Sequence, residues 1–150
     1  MPGQVPAGDI HHLRLTVTDV QRSREFYTGL LGFQVAVESP PPGDPAAEEV
    51  FHVLFGGVVM IRGNLIMGLR PMAPAGDQFD PDRVGLDHLS FGVPSRADLE
   101  HAAALFDEHG VTHGVITRLP SFGIDVLSFK DPDGIQLELT APAAPEEDGA

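Results

Sequence analysis

The fold of this chain is decided by two similar stretches, IHHLRLTV at residues 10–17 and LDHLSFGV at residues 86–93. In both, apolar and polar residues alternate, which is typical of a β-strand with one packed face and one open face. His12 and His88 lie at matching places in the two stretches, 76 positions apart. Two strands of the same pattern at this distance indicate an internal duplication.

The segments after these strands repeat in the same order. We predict a helix with Asp19 as N-cap after the first strand, and a second helix with Ser95 as N-cap and Asp98 in a capping-box position. Three further strands complete each half. These six strands are predicted at residues 33–39, 50–57, 58–71, 111–119, 123–130 and 134–142, and the one at residues 58–71 could be broken at Gly63.

The predicted fold class is therefore α+β, with two βαβββ modules in a single domain. Module 1 spans about residues 9–70 and module 2 about residues 86–141, joined by a linker at about residues 71–85. A tail at residues 142–150, rich in alanine, proline and acidic residues, is expected to be disordered.

Composition excludes several classes of function. The chain has 150 residues, which suffice for one core, and its formal net charge of −13 disfavours nucleic acids and anionic membranes as partners. It has no cysteine, so disulfides, thiol nucleophiles and cysteine-ligated metals are excluded. With no apolar run of about 20 residues and no signal-peptide pattern at the start, we expect a cytoplasmic protein.

Three motifs carry a resemblance to a known family: IHHLRLTVTD, GLDHLSFGV and DPDGIQLELT, in this order along the chain. Together they resemble the vicinal oxygen chelate superfamily over about residues 9–142. That superfamily includes glyoxalase I, bleomycin-resistance proteins, fosfomycin-resistance enzymes, methylmalonyl-CoA epimerase and extradiol dioxygenases. The resemblance implies that the two modules form a curved, eight-stranded cup around a divalent metal, with ligands on the first and last strand of each module.

The residues support such a site independently. Strand alternation places His12, His88 and Glu138 on the faces opposite the packed leucines of their strands. Two imidazoles and one carboxylate suit Fe, Mn, Ni or Zn and leave coordination positions open for substrate or water. We therefore predict one divalent metal ion, of undetermined identity, bound by these three residues.

Two positions depart from particular members of the superfamily. Gly68 stands where many members have a fourth ligand, Glu or Gln, and glycine cannot ligate. Gly68 and Ser128 also stand where extradiol dioxygenases have an acid–base His and a Tyr. The resemblance to a four-ligand glyoxalase I or to an extradiol dioxygenase is therefore incomplete at these positions.

Further residues are candidates for chemistry or substrate binding. Aligned with methylmalonyl-CoA epimerase, His52 falls about where that family has a base, and strand alternation on residues 50–57 would turn it inward. It could equally be a surface histidine. Catalytic roles are thus predicted for His52 and Glu138, and substrate binding for Arg14, Arg70 and Ser90. The two arginines could bind a carboxylate or phosphate, or could pair with surface acids.

Two classes of function follow. The first is a metal-dependent enzyme acting on a small molecule, with lyase or isomerase chemistry favoured and Fe(II) dioxygenase chemistry as the alternative. The second is a metal-free binding protein similar to the bleomycin-resistance members. The resemblance also implies a homodimer, in which modules pair either within or between chains.

Overall fold

Each half of the chain forms its own four-stranded sheet in the computed structural model, which describes residues 3–41 and 43–145. The chain divides into a first unit, Met1–Gly76, and a second unit, Asp77–Ala150. Both sheets carry helices, so the α+β class predicted from the sequence is confirmed. None of the helices within the described ranges is long and apolar enough to span a membrane.

The first unit contains four strands and two helices. They are β1 (Leu13–Thr16), α1 (Val20–Gly29), β2 (Gln34–Glu38), α2 (Ala47–Leu54), β3 (Val58–Arg62) and β4 (Leu65–Arg70). The sheet order is β1-β4-β3-β2. The first strand pairs in parallel with β4, and the remaining pairs are antiparallel.

The second unit repeats this arrangement. Its elements are β5 (Leu89–Gly92), α3 (Arg96–Glu108), β6 (Thr117–Leu119), a 3₁₀ turn (Pro120–Phe122), β7 (Ile124–Lys130) and β8 (Gln136–Pro142). The order β5-β8-β7-β6 matches that of the first sheet, again with one parallel pair, between β5 and β8. The duplication predicted from the sequence is therefore confirmed at the level of strand order and direction.

Strand register makes the equivalence specific. In the first unit Arg14 lies opposite Gly68 on the β1/β4 pair. In the second unit Ser90 lies opposite Glu138 on the β5/β8 pair. Arg14 and Ser90 thus occupy matching places, as do Gly68 and Glu138, which is the alignment that the sequence predicted.

Local signals explain why the two main helices begin where they do. The carboxylate of Asp19 accepts a hydrogen bond from the backbone N–H of Arg22 at 3.0 Å. Ser95 and Asp98 form the predicted capping box, with the Ser95 N–H donating to Asp98 at 2.9 Å. Both caps satisfy N–H groups that have no partner inside a helix, so they determine its first residue.

The predicted strand at residues 50–57 is wrong, because residues 47–54 form helix α2. Alternation would bury Phe51 and Val53, but they are 54% and 62% exposed, and Leu54 is buried instead. A short apolar run is compatible with a strand or a helix. The alanines and glutamates that precede this one are good helix formers, so they favour the helix.

The first sheet nevertheless has the expected number of strands, because the segment at residues 58–71 forms two strands, β3 and β4, joined as a hairpin. Gly63, with φ of 54°, forms its turn between β3 and β4. Strand β6 is shorter than predicted: in residues 111–116 the ladder is reduced to an isolated bridge from His113 to Phe129. The predicted tail begins inside β8, which ends at Pro142, and residues 146–150 lie outside the described part of the chain.

Each unit has its own core. In the first unit Tyr27 is fully buried and makes edge-to-face contacts with Phe26 and Phe33. In the second unit, Phe106 of α3 stacks on Phe129 of β7 with ring centroids 4.5 Å apart. The contact between Phe106 and Phe129 attaches α3 to the second sheet. In both units the opposite face of the sheet is left for other contacts.

A buried carboxylate ties α3 to the second sheet. Asp125 of β7 accepts two hydrogen bonds from Arg118, at 2.9 and 3.2 Å, and lies 3.3 Å from Nη1 of Arg96. The hydrogen bonds from Arg118 and then Arg96 hold the pKa of Asp125 below its usual range. The carboxylate is thus kept ionised although the side chain is inaccessible to solvent.

Candidate functional site

The open face of the second sheet carries polar side chains in a regular pattern. On β8, Leu137 and Leu139 are 1% and 7% exposed, whereas Glu138 between them is only partly buried. On the neighbouring strand Ser90 is exposed, and His88 precedes the strand on the same face. The alternation predicted from the sequence is confirmed here, and it brings an imidazole and a carboxylate together.

His88 and Glu138 are neighbours, and both carry atoms that can bind a metal ion. Nε2 of His88 lies 3.9 Å from Oε1 of Glu138, and the side chains are 45% and 19% exposed. Nδ1 of His88 lies 2.6 Å from Oδ1 of Asp87. A carboxylate at Nδ1 favours the tautomer that carries its proton there, which leaves the Nε2 lone pair available to bind a metal ion beside Glu138. This arrangement of carboxylate and imidazole is common behind metal-bound histidines.

A short hydrogen-bond chain orients Glu138. The hydroxyl of Thr140 donates to Oε1 of Glu138 at 3.1 Å, and the hydroxyls of Thr140 and Ser90 lie 2.5 Å apart. Because Thr140 donates to the carboxylate, its oxygen is left to accept the proton of Ser90. Ser90, predicted from the sequence to bind substrate, therefore contacts Glu138 through Thr140; its contact with substrate stays a prediction.

A concavity of about 310 Å³ lies on the second unit, next to Glu138 in the sheet register. Ser128 is the register partner of Glu138, and Lys130 is the partner of Gln136. The residues that line the concavity are Thr112, His113, Gly114, Ser128, Phe129, Lys130 and Gln136. Strand alternation already predicts Gln136 on the same open face as Glu138. Lys130 was missed, although it is the one lysine of the chain and lies two residues after Ser128 on the same strand.

The first unit presents a different open face. His12 is exposed and directly precedes β1, and its Nδ1 lies 2.8 Å from Nδ1 of His11. Behind it, the side chain of Arg14 covers Gly68: a Cβ added to Gly68 would lie 3.1 Å from Cγ of Arg14. The place that holds a carboxylate in the second unit is thus filled by an arginine side chain in the first.

Arg14 and Arg70 both lie over one aromatic ring. The guanidinium carbons of Arg14 and Arg70 are 5.7 and 4.5 Å from the centroid of Phe55. Nη2 of Arg14 also donates to the backbone carbonyl of Val53 at 2.5 Å. Phe55 ends α2 in a left-handed conformation with φ of 54°. The two arginines predicted as substrate-binding residues therefore form one cluster in the first unit.

His52 does not lie on a strand as predicted. It is in the last turn of α2 and lines a cavity of about 840 Å³ in the first unit, together with Ser39, Pro40 and Phe51 among other residues. The strand alternation from which its inward orientation was predicted does not apply to a helix. Its role as a base stays a prediction that has lost this support.

The donor set fits a divalent metal only in part within one unit. In the ranges that the structure describes, no group of three or more His, Cys, Asp or Glu side chains is clustered closely enough to hold a metal ion. The second unit supplies two suitable donors, His88 and Glu138, with the imidazole oriented from behind by Asp87. A third protein ligand would have to come from outside this pair, and His12 is the predicted one.

Comparisons with known proteins agree with this fold. Residues 9–139 match the family model of the Glyoxalase/Bleomycin resistance protein/Dioxygenase superfamily. The uncharacterised protein YwkD of Bacillus subtilis is 30% identical over 134 residues, covering 87% of this chain and 94% of that protein. Catechol-2,3-dioxygenase of the same organism is also 30% identical, over 88% of this chain. The chain spans only 41% of the length of that dioxygenase.

A solved structure supports the same assignment. The glyoxylase/bleomycin resistance protein/dioxygenase domain from Frankia sp. EAN1pec matches with a TM-score of 0.71 and 25% sequence identity, over 94% of this chain and 95% of that domain. The strand order shared by the two sheets, the polar open faces and these matches lead to one conclusion. The chain belongs to the Glyoxalase/Bleomycin resistance protein/Dioxygenase superfamily.

Proposed function

We propose that the chain is a metal-dependent enzyme that acts on a small molecule, with His12, His88 and Glu138 as the ligands of one divalent ion. The observation that carries this proposal is the Asp87–His88–Glu138 arrangement, in which an imidazole nitrogen and a carboxylate oxygen lie 3.9 Å apart and Asp87 contacts the other imidazole nitrogen. The two donors are nitrogen and oxygen, which suits Fe, Mn, Ni or Zn. A bound ion would supply Lewis acidity toward two adjacent oxygens of the substrate.

Acid–base chemistry is the favoured reaction type, with Glu138 as the residue that moves the proton. Oε1 of Glu138 accepts from Thr140, which fixes the plane of the carboxylate. Its other oxygen, Oε2, is not engaged by any side chain in the described ranges, and it is therefore the atom proposed to accept a substrate proton. His52 is a further candidate base, but α2 gives no orientation that favours it.

Ring-cleaving dioxygenase chemistry is the second candidate. It is favoured by the 30% identity to the catechol-2,3-dioxygenase, of which this chain spans less than half. It is disfavoured by Ser128, which stands beside Glu138 where the extradiol enzymes have a tyrosine. A metal-free binding protein similar to bleomycin-resistance proteins is disfavoured by the His88–Glu138 pair itself, since such a protein needs no ligands.

The two reactions are separated by one pair of assays. Protein reconstituted with Fe(II), Mn(II), Ni(II) or Zn(II) is tested by oxygen electrode and by solvent-deuterium exchange. The substrate panel comprises catechols, thiol adducts of 2-oxoaldehydes, epoxides and 2-methyl-3-oxo thioesters. We expect deuterium exchange that falls about 10²–10⁴-fold in Glu138→Gln, the usual contribution of a positioned base, and the metal content of the variant is measured alongside because Glu138 is also a proposed ligand of the ion. Oxygen uptake with Fe(II) and a catechol would establish the dioxygenase instead.

His52→Ala is the matched test of the other candidate base. If Glu138 alone moves the proton, this variant keeps its exchange rate. A loss as large as that of Glu138→Gln would assign the role to His52.

The assembly is proposed to be a homodimer. If the ligands come from different subunits, mixing His12→Ala with Glu138→Ala restores a fraction of intact sites, and activity returns on mixing. Light scattering that gives a monomer at working concentration would contradict the dimer.

A further inference from the structure

Two arginines of the first unit share one aromatic ring and pair with no carboxylate among the residues that the structure describes. Both guanidinium groups lie within about 6 Å of the Phe55 ring, the range in which a cation is attracted by an aromatic face. Arg14 donates to a backbone carbonyl, and neither arginine forms an ion pair with an acidic side chain within the described ranges.

This lack of pairing does not come from a shortage of acids. The chain has 22 Asp and Glu residues and only 9 Lys and Arg residues. Other arginines do pair with carboxylates, among them Arg24, Arg83, Arg96 and Arg118. Within the described residues, two neighbouring positive charges therefore stay without an acidic partner in a chain of net charge −13, which creates a local positive site that attracts anions.

Phe55 occupies a conformation that is unfavourable for it. In the part of the chain that the structure describes, Phe55 is the one non-glycine residue with positive φ. It ends α2 at a position where glycine would adopt the same conformation without strain. What glycine would not provide is the ring on which the two guanidinium groups rest. Backbone strain of this kind is concentrated at binding sites.

The two arginines are held differently. Arg14 lies across Gly68, which has no side chain to displace it, and one of its N–H groups is already bonded to the Val53 carbonyl. Arg70 stacks closer to the ring, and it makes no hydrogen bond through its guanidinium within the described ranges. Its planar fork therefore rests on the ring with its N–H donors available, which suits two-point binding of an oxyanion.

We propose that Arg14, Phe55 and Arg70 form a binding site for an oxyanion, the carboxylate or phosphate group of a small molecule. Arg70 binds the anion with two parallel N–H donors, and Arg14 adds a second positive charge from its fixed place on the sheet. This inference goes beyond the proposed function, because the three residues lie in the first unit and do not require a metal.

The direct test uses the arginine Nε–H signals of ¹⁵N-labelled protein, of which the chain has eight. The protein is titrated with sodium acetate or with inorganic phosphate at constant ionic strength, and sodium chloride serves as the control. We expect saturable shifts of the Arg70 and Arg14 signals with one of the two oxyanions and little change with chloride. Shifts that chloride reproduces, or that are as large at exposed Arg83, would overturn the proposal. The stronger of acetate and phosphate identifies the acid group.

Three variants and a matched control sharpen the test. Arg70→Ala should weaken oxyanion binding at least about tenfold, whereas Arg70→Lys, which keeps the charge but loses the fork, should fall between it and the wild type. Phe55→Gly removes the ring but suits the left-handed backbone, so weaker binding in a variant that is no less stable points to the ring. Arg83→Ala is the control and should bind as the wild type does.

Two outcomes contradict the site. Wild-type affinity in Arg70→Ala, in protein whose spectrum shows it to be folded, would exclude Arg70 as the anion ligand. Equal affinity in Phe55→Gly would exclude the ring as the platform. Metal content is measured on the same samples: loss of oxyanion binding with metal content unchanged separates this inference from the proposed metal site.

Discussion

The two units share a fold but carry different residues at matching register positions of their open faces. In the second unit Ser90 and Glu138 lie opposite each other and are joined through Thr140. In the first unit Arg14 lies opposite Gly68 and fills the room above it. The difference shows that the strand frame is set by the packed face, which is alike in both units, while the open face is free to carry different chemistry.

Exchange of these residues costs little in terms of fold. Polar side chains on the open face contribute little to the core, so a carboxylate and a serine in one unit can stand where the other has glycine and arginine, provided that both residues of the pair change together. The consequence for charge is large, because the second unit directs a carboxylate and an imidazole outward and the first directs two guanidinium groups. We interpret the first face as suited to anions and the second as suited to cations.

The largest effect is expected where the two units are alike. Leu69 and Leu139 are buried at matching positions of β4 and β8. Truncation of either to alanine should lower the free energy of unfolding by about 2–5 kcal/mol, from lost burial and the cavity left behind. Urea unfolding of both variants measures this. A neutral result for one of them would show that the packed faces are not equivalent.

The next effect concerns the second unit alone. Thr140→Val keeps the shape of the side chain but removes the hydrogen bond to Glu138. If Glu138 is a metal ligand, metal affinity should fall about 10–100-fold, as is usual when a residue that orients a ligand is lost. Competition with a metal-binding dye measures it. Thr16→Val, on the open face of the first unit, is the control and should have no effect; a wild-type affinity in Thr140→Val would contradict the orienting role.

A double-mutant cycle tests the exchange directly. Gly68→Glu alone should destabilise the first unit, because its Cβ would lie 3.1 Å from Cγ of Arg14. Combination with Arg14→Ser reproduces the residue pair of the second unit and should recover stability. We expect a coupling of about 0.5–3 kcal/mol, typical of residues in contact. Additive effects in urea unfolding would mean that Arg14 does not occupy the room above Gly68.

The smallest effect is one of pH. Arg118 and Arg96 lower the pKa of Asp125 in the folded chain. The ionised carboxylate therefore contributes fully to the free energy of unfolding at pH values above the ordinary pKa of an aspartate, about 3.9. That contribution is lost as the pH falls below this pKa toward the lowered folded value. Compared with Asp125→Asn, the stability advantage of the wild type should be constant near neutral pH and should shrink in acid. A stability advantage of the wild type that grew as the pH fell would contradict the lowered pKa of Asp125.

The sequence predicted best what local signals determine. Caps at Asp19 and Ser95 and the alternation around His88 and Glu138 depend on neighbouring residues and strand parity, and they were read correctly. Residues 50–57 were misassigned because a short apolar run satisfies strand and helix patterns alike. The alanines and glutamates before this run favour the helix and burial of Leu54 stabilises it, which the apolar run by itself does not reveal.

The candidate site divides in the same way. Strand alternation is enough to place Arg14 and Arg70 on the open face of their strands. Their shared contact with Phe55 depends on the end of α2, which brings the ring to the sheet. The hydrogen bonds from Ser90 through Thr140 to Glu138 join residues about 50 positions apart in sequence. Such contacts are set by tertiary packing, so sequence patterns could only place the residues on a common surface.

The central claim is that the open face of the second unit is a metal-binding face. Its most direct test is elemental analysis of protein purified without chelator and then given a micromolar excess of divalent ions. We predict one ion per chain in the wild type and in the control His101→Ala, an exposed histidine of α3, and loss of the ion in His88→Ala and in Glu138→Ala. A wild type that retains no divalent ion, or a His88→Ala variant that retains as much as the wild type, would contradict the account.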